Sequence, residues 1–482
     1  MSETKSQTST SSNARNAVVD QQQSVTNVDQ PVVDATQAEQ QAQLQVQTQP
    51  QQQSWLRNTW TSYKWYIIAI AVLCAACVMW SFYKQKRLER RRRQIDQQCA
   101  QIPESESIFV SIASYRDPQC AYTLFDLFDK AACPFRITVG VCQQNYTAVD
   151  QDAGEKYKSM ARDSGVHDFS HHIRIMRMSA EQAQGPMYAR HLIEKHLYRG
   201  EKYYLIVDSH MLFTPNWDVE CVKMYNQCLV WSPKPILTMY PEDFKPYNRT
   251  WTMSNYENEP GSYLRFKKFN EKTNVVEIEG PRFKRKPSAP QLALFWAGCF
   301  SFGSASQIKE VPYDGFGSFV FLGEEISMAA RLWTSGYDLY HPQKMVVYHM
   351  WKRNRPTFWQ LLSEPSVNES HQKRQQMEKQ GYQRIRSVLG IEDPSQTLTV
   401  TAPFNLGTTR TLAEYENFIG IRMSKQQFTH LGGVLGLPIS SSSADILNRF
   451  GTWNEYKKMQ MLAGDIIRQR QQGPSAVSIQ LV

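Results

Sequence analysis

Tyr203-Tyr204-Leu205-Ile206-Val207-Asp208-Ser209-His210 sets the reading of this chain. A continuous apolar run of strand formers ends in Asp-x-His. A buried central strand of an α/β sheet reads this way, and open α/β sheets bind ligands outside the carboxyl ends of their strands. In extended backbone, residues i and i+2 point to the same side. Asp208 and His210 therefore reach one cation, with Ser209 turned away. A carboxylate with an imidazole suits Mn²⁺ better than Mg²⁺, which prefers oxygen alone. The same residues also read as a strand end that happens to carry Asp and His, so the surroundings decide.

Upstream, Gly185-Pro186 opens a helix, with Pro in the first turn where its missing N–H is no loss. Ala189, Leu192, Ile193 and Leu197 mark its buried face, and Gly200 is expected to end it. Arg190 lies early in this helix. A cation there suits a diphosphate at the helix N-terminus; taken alone it also reads as a surface arginine. Further upstream, Ile108 to Ala113 is a strand, Leu124, Leu127 and Phe128 share a helix face, and Arg136 to Val141 is a second strand. Strand, helix, strand is a βαβ unit and implies a mostly parallel sheet with helices on its faces.

Downstream, Pro233 to Tyr240 reads as a strand. Residues 242–290 are polar and read as a long loop or insertion, a length often tied to function. Phe295 to Phe302 is apolar with Gly298 inside, which signals a close backbone approach. A helix runs from Glu324-Glu325 to Trp333, stopped by Gly336. Two acids in a first turn complement the helix dipole; a catalytic or sugar-binding role is the sharper alternative. Tyr337 to Tyr340 and Met345 to His349 read as strands. His349 ends its run as Asp208 does, while His341, before a proline, is a weaker candidate. Residues 366–390 form a polar helix.

The 482 residues allow more than one domain, and 41% hydrophobic content permits a large core. The net charge of +9 is uneven. Lys84, Lys86, Arg87 and Arg90 to Arg93 less Glu89 contribute +6, leaving +3 elsewhere. A local excess is no nucleic-acid footprint; beside a membrane segment it meets anionic lipid instead. Nine cysteines without CxxC pairs argue against a zinc module. Two lie in the apolar segment, and an odd seven remain, so no disulfide framework can be read.

The expected organisation begins with a disordered Gln/Ser/Thr-rich tail over 1–63, too poor in apolar residues to fold. A transmembrane helix over 64–84 follows. Trp65 to Tyr83 is free of charge and bracketed by Lys64 and Lys84, with Trp60, Tyr63, Trp65 and Tyr66 at one end and Trp80, Phe82 and Tyr83 at the other as aromatic belts. A basic juxtamembrane stem covers 85–107, a globular α/β domain 108–425, and an extension without assignable chemistry 426–482. The positive-inside rule puts the basic cluster and the large domain in the cytosol. Sequons at Asn145, Asn248 and Asn368 suit a lumenal domain. The sequence leaves topology open.

Seven motifs occur in order: Ser111 to Asp117, Gly185 to Arg190, Asp208-Ser-His210, Phe295 to Gly298, Gly323-Glu-Glu325, Tyr348-His349, and Asn405 to Tyr415 with Phe418 to Ile421. This set resembles the polypeptide α-N-acetylglucosaminyltransferases, which include Golgi mucin-type and hydroxyproline-modifying enzymes. The resemblance covers about Ile108 to Met423. It implies a Rossmann-like GT-A fold behind a single N-terminal transmembrane helix, a membrane-anchored enzyme, UDP-GlcNAc as donor and Mn²⁺ or another divalent cation. It implies transfer of GlcNAc to a Thr, Ser or hydroxyproline hydroxyl of a polypeptide acceptor, with retention, in the Golgi lumen. Asp208 and His210 match the family's metal motif, and His349 matches the later histidine that completes the shell. Ser114, Tyr115 and Arg116 match the uridine end, and Arg190 the ribose or diphosphate. Trp296, Gly298, Glu324 and Glu325 match residues bordering sugar and acceptor, with the two acids as catalytic candidates. The acceptor hydroxyl is expected to attack from the face of the leaving phosphate, which takes its proton. The competing readings are a same-fold transferase with another UDP-sugar and a glycan acceptor, and a catalytically dead membrane-tethered adaptor.

Overall fold

A computed structural model describes the backbone of residues 35–103, 105–244, 259–352, 358–359, 369–391 and 398–471. The chain forms two units, Met1–Lys84 and Gln85–Val482. Helix α1 (Ala35–Ala100) contributes to both by sequence. Its segment Tyr63–Ala100 contains a window of mean hydropathy 2.2 with none of it buried, so it is long and apolar enough to cross a membrane. The helix starts inside the tail expected to be disordered and runs on into the stem. Ala, Gln, Leu and Arg fill those stretches, and all are good helix formers. The rest of that tail and the sequons at Asn248 and Asn368 lie outside the described residues. Asn145 is buried, with its Nδ2 donating to the Gln151 carbonyl at 3.0 Å, so it is no accessible glycan acceptor.

The second unit begins with β1 (Ile108–Tyr115), α2 (Cys120–Lys130), β2 (Ile137–Asn145), α3 (Ala153–Ser164) and β3 (Ile173–Ser179). Then come α4 (Pro186–His196), β4 (Tyr203–Asp208), β5 (Met211–Phe213), α5 (Trp217–Cys228) and β6 (Pro235–Thr238). A hairpin, β7 (Arg265–Phe269) with β8 (Val276–Glu279), precedes β9 (Gln291–Leu292), β10 (Phe300–Ser304) and α6 (Gln307–Glu310). After these come α7 (Glu324–Thr334), β11 (Asp338–His341), β12 (Val347–His349), α8 (Glu369–Val388) and α9 (Leu412–Ile419). The central sheet has the order β3-β2-β1-β4-β10-β6-β11-β9. Strands β3, β2, β1, β4, β6 and β11 run one way; β10 and β9 run the other.

The sheet is buried on both faces, which is why its strands read as unbroken apolar runs. Ile108, Val110, Ile112, Tyr203, Leu205 and Val207 face one core, with Leu124 and Leu127 of α2. Phe109, Tyr204 and Ile206 face the other, with Ala189 and Ile193 of α4. The alternation that sends Tyr204 and Ile206 toward α4 sends Asp208 the same way. Hence α4 delivers Arg190 to the strand end.

Two expectations need correction. Helix α4 closes at His196, and Gly200 (φ 109°) serves the turn into β4 instead. The 242–290 segment is not all loop: β7 and β8 pair as a hairpin over Phe266, Phe269, Val276 and Ile278 in the core. The C-terminal extension packs on the domain, where helices 443–450 and 453–471 place Arg449 against the Leu292 carbonyl and Phe450 against Tyr263. Cys99 and Cys133 form a disulfide with a Cα separation of 4.9 Å, tying the end of α1 to the loop after α2.

Candidate active site

A cavity of about 570 Å³ opens at the carboxyl end of β4. Asp208, His210 and His349 stand on its wall, with ligand atoms all within 4.8 Å of one another. Register explains how His349 arrives from so far along the chain. Strand β12 pairs antiparallel with β5, and His349 faces Met211, so it lands beside His210. His210 Nε2 and His349 Nε2 are 3.0 Å apart, His349 Nε2 is 3.0 Å from Asp208 Oδ2, and His210 Nε2 is 4.0 Å from the same oxygen.

Two imidazole nitrogens aimed at each other cannot both accept unless something positive lies between them. Two neutral imidazoles and a carboxylate converging on one point are the donor set of a borderline divalent cation. The residues fit a metal.

Asp208 is held from behind. Arg190, 3% exposed, donates Nη2 to Asp208 Oδ1 at 3.0 Å and to the Gly298 carbonyl at 2.9 Å, and Nη1 to Glu324. It is neither a surface arginine nor a free cation at a helix end; it is a clamp between two carboxylates. Withdrawal from water would raise the Asp208 carboxyl, but the His349 hydrogen bond and the Arg190 charge outweigh it and hold it well below the usual range. Glu324 also accepts from Tyr313 Oη at 2.9 Å.

Glu325 accepts the Gly298 N–H at 3.1 Å and the Tyr240 hydroxyl. Loss of water pushes its carboxyl up to about 7, despite the hydrogen bonds from Tyr240 and Gly298. Gly298 is where the sequence signals a close approach, and the neighbours are these side chains. A Cβ there would lie 3.1 Å from Arg190 Nη1 and 3.2 Å from Glu324 Oε1.

The uridine-end candidates separate. Tyr115 lines the cavity and meets Phe358 edge-on at 5.0 Å. Ser114 is buried beneath it. Arg116 pairs with Asp150 at 2.8 Å and lies over Tyr146, while its backbone takes a left-handed turn (φ 49°). Trp296 is fully buried in the core, with its indole N–H on Ser301 Oγ at 2.8 Å; it supports the Gly298 turn from below. His341 is a core histidine, with Nδ1 by the Thr238 carbonyl at 3.1 Å, and burial lowers its pKa to about 3.

Three residues at the site carried no assigned role. Tyr240 lies just past β6, so it reaches the site from a strand end as Asp208 does. Tyr313 gives no sequence signal of its own. Asp117, the last residue of the first motif, has its Oδ2 2.7 Å from His210 Nδ1 and accepts Ser209 Oγ at 2.6 Å. Withdrawal from water would raise its carboxyl, but the bonds from His210, Ser209 and Gln119 hold it below the usual range. Ser209 lines the cavity but gives its hydroxyl to Asp117 and not to the Asp208–His210–His349 cluster.

The chain matches the family described as Glycosyltransferase (GlcNAc) over residues 107–169 and 147–425. No curated protein matches it. Among solved structures it is similar to GalNAc-T7 with UDP, GalNAc and Mn²⁺ (TM-score 0.39, 11% identity), covering 64% of this chain and 54% of that one. It is also similar to S. aureus TarS 1–349 in complex with UDP-GlcNAc (TM-score 0.34, 12% identity), covering 60% and 69%. A third is the mannosyltransferase PcManGT from Pyrobaculum calidifontis in complex with GDP-Man and Mn²⁺ (TM-score 0.30, 10% identity), covering 61% and 76%. The chain thus spans about half the length of the GalNAc-T7 chain. Likenesses this loose assign no chemistry.

Proposed function

The chain belongs to the GlcNAc glycosyltransferase family, and from that premise we propose that it transfers GlcNAc from UDP-GlcNAc to a hydroxyl of a polypeptide, with retention. The observation that carries this reading is the convergence of Asp208, His210 and His349 on the wall of a cavity that Glu324 and Glu325 also line. Its volume of about 570 Å³ suits a nucleotide sugar. Asp208, His210 and His349 would hold a divalent cation. When bound, such a cation neutralises diphosphate charge without proton transfer.

The chain's own residues do the rest. Arg190 and Glu324 fix the Asp208 carboxylate toward the cavity. Tyr115 offers a ring face at the uridine end. Glu325, poised to hold a proton near neutral pH, sits where it can hydrogen-bond the sugar or the incoming hydroxyl. Phe321, Trp359 and Trp351 also line the cavity, with Phe321 54% and Trp351 48% exposed. Exposed rings lining a cavity suit an extended polypeptide acceptor.

The Cys99–Cys133 disulfide supports a catalytic domain in an oxidising compartment. With the apolar stretch of α1, this favours a lumenal, Golgi placement over the one the basic cluster suggests. The test is transfer of labelled sugar from a panel of UDP-sugars to Thr, Ser and hydroxyproline peptides by the full chain in detergent. Label in peptide from UDP-GlcNAc, α-linked by NMR, is expected. Transfer from another donor, or only to glycans, contradicts the proposal.

A further inference from the structure

We propose that Asp117 is the positioning residue of the metal centre, fixing His210 as the Nδ1–H tautomer so that its Nε2 lone pair faces the cation. This rests on the metal reading of Asp208, His210 and His349. A neutral imidazole carries one N–H, and an ionised carboxylate can only accept. With Asp117 Oδ2 2.7 Å from Nδ1, the proton belongs on Nδ1. The lone pair is then left on Nε2, the atom 3.0 Å from His349 Nε2.

The competing tautomer has a driving force of its own. Asp208 Oδ2 lies 4.0 Å from His210 Nε2 and would draw a proton onto that nitrogen, where the cation belongs. Asp117 decides the contest because it is fixed at both oxygens. Oδ1 accepts the Gln119 N–H at 2.9 Å, and Oδ2 takes Ser209 Oγ at 2.6 Å beside His210. Its side chain is 5% exposed, so water does not compete. Its backbone is stiff as well, since Pro118 follows and Arg116 precedes it in a left-handed turn pinned by Asp150. Strand register places it there: β1 lies beside β4 with Ala113 opposite Asp208, so the turn after β1 sits next to the turn after β4. A carboxylate behind a ligating histidine also raises the basicity of the ligand.

The test is Mn²⁺ titration of the full chain in detergent, by calorimetry and by electron paramagnetic resonance, for wild type, D117N, D117A and S209A. Histidine ring ¹⁵N spectra of the metal-free proteins accompany it. D117N and D117A are expected to bind Mn²⁺ about 10–100-fold more weakly, with the His210 proton moved toward Nε2, while S209A, which removes only one of the two bonds that fix Asp117, loses less affinity than D117N and keeps the Nδ1–H tautomer. D117N, nearly the same shape, decides if D117A fails to fold. Unchanged Mn²⁺ affinity in D117N overturns the proposal, and so does an equal loss in S209A, which would make Asp117 a loop brace. Wild type that does not bind Mn²⁺ overturns the metal reading itself and the proposal with it.

Discussion

Arg190 is the residue whose surroundings set the charge balance of the site. The buried Arg190 guanidinium is one positive charge held by two carboxylates, so losing Glu324 leaves its pair with Asp208 in place but strips the acceptor from Arg190 Nη1 and Tyr313 Oη. Glu324→Ala is therefore expected to destabilise the domain by about 1–3 kcal/mol for each buried donor left unsatisfied, read from denaturant unfolding; a change near zero would show that Arg190 Nη1 and Tyr313 find other acceptors. Asp208→Ala removes a proposed metal ligand as well. If the cation contributes about 3 kcal/mol to transition-state stabilisation, turnover falls at least about 100-fold, and full activity would sink the assignment. Glu325 supplies a pH dependence. Its folded carboxyl, raised to about 7, holds a proton that the unfolded chain releases near the ordinary value of 4.5. The folded state therefore binds more protons between those values, so stability falls as pH rises through that window and is flat above it. Glu325→Gln should remove this slope from a melting-temperature profile; an unchanged slope assigns it to another group. The convergence of Asp208 and His210 on one wall of the cavity was legible because strand alternation is a two-residue rule. The clamp was not, because Arg190 and Glu324 are 134 positions apart and only packing joins them.

Strand and helix patterning carried the central elements. β1, β2 and β4 are buried on both faces and read as apolar runs, and α4 and α7 open at Gly185 and Gly323, both with positive φ. The β7–β8 hairpin was hidden because both strands are short: a register shift between Phe266 and Lys268 breaks the alternation of β7, and the four residues Val-Glu-Ile-Glu of β8 alternate too briefly to stand out. Yet Lys267 and Glu277 from this hairpin line the cavity, which makes it part of the site. The turn before β10 carries its own prediction. Gly298→Ala puts a Cβ against Arg190 and Glu324, and overpacking of this kind costs about 1–3 kcal/mol. Activity should fall more than stability does, because the clamp holding Asp208 must shift. An active, equally stable G298A would mean that the turn gives way without moving Arg190.

At the scale of the whole molecule, the charge-free run Trp65 to Tyr83 announced an apolar helix and the strand-helix-strand order announced a mostly parallel α/β sheet, and both are present. Cysteine pairing was beyond reach, since an odd number of candidates fixes no partners and Cys99 and Cys133 meet only through folding. If the domain is lumenal, this bond is oxidised in the isolated protein, and Cys99→Ser is expected to cost about 2–4 kcal/mol; free thiols at both positions would contradict that placement. The central claim, a cation-dependent UDP-GlcNAc transferase, faces its most direct test in UDP release by the full chain in detergent. Release would be measured for several UDP-sugars with Mn²⁺ and with EDTA. Release that needs Mn²⁺, favours UDP-GlcNAc and is lost in D208A is the expected result. No release from any UDP-sugar, together with no Mn²⁺-dependent UDP binding, would contradict the account.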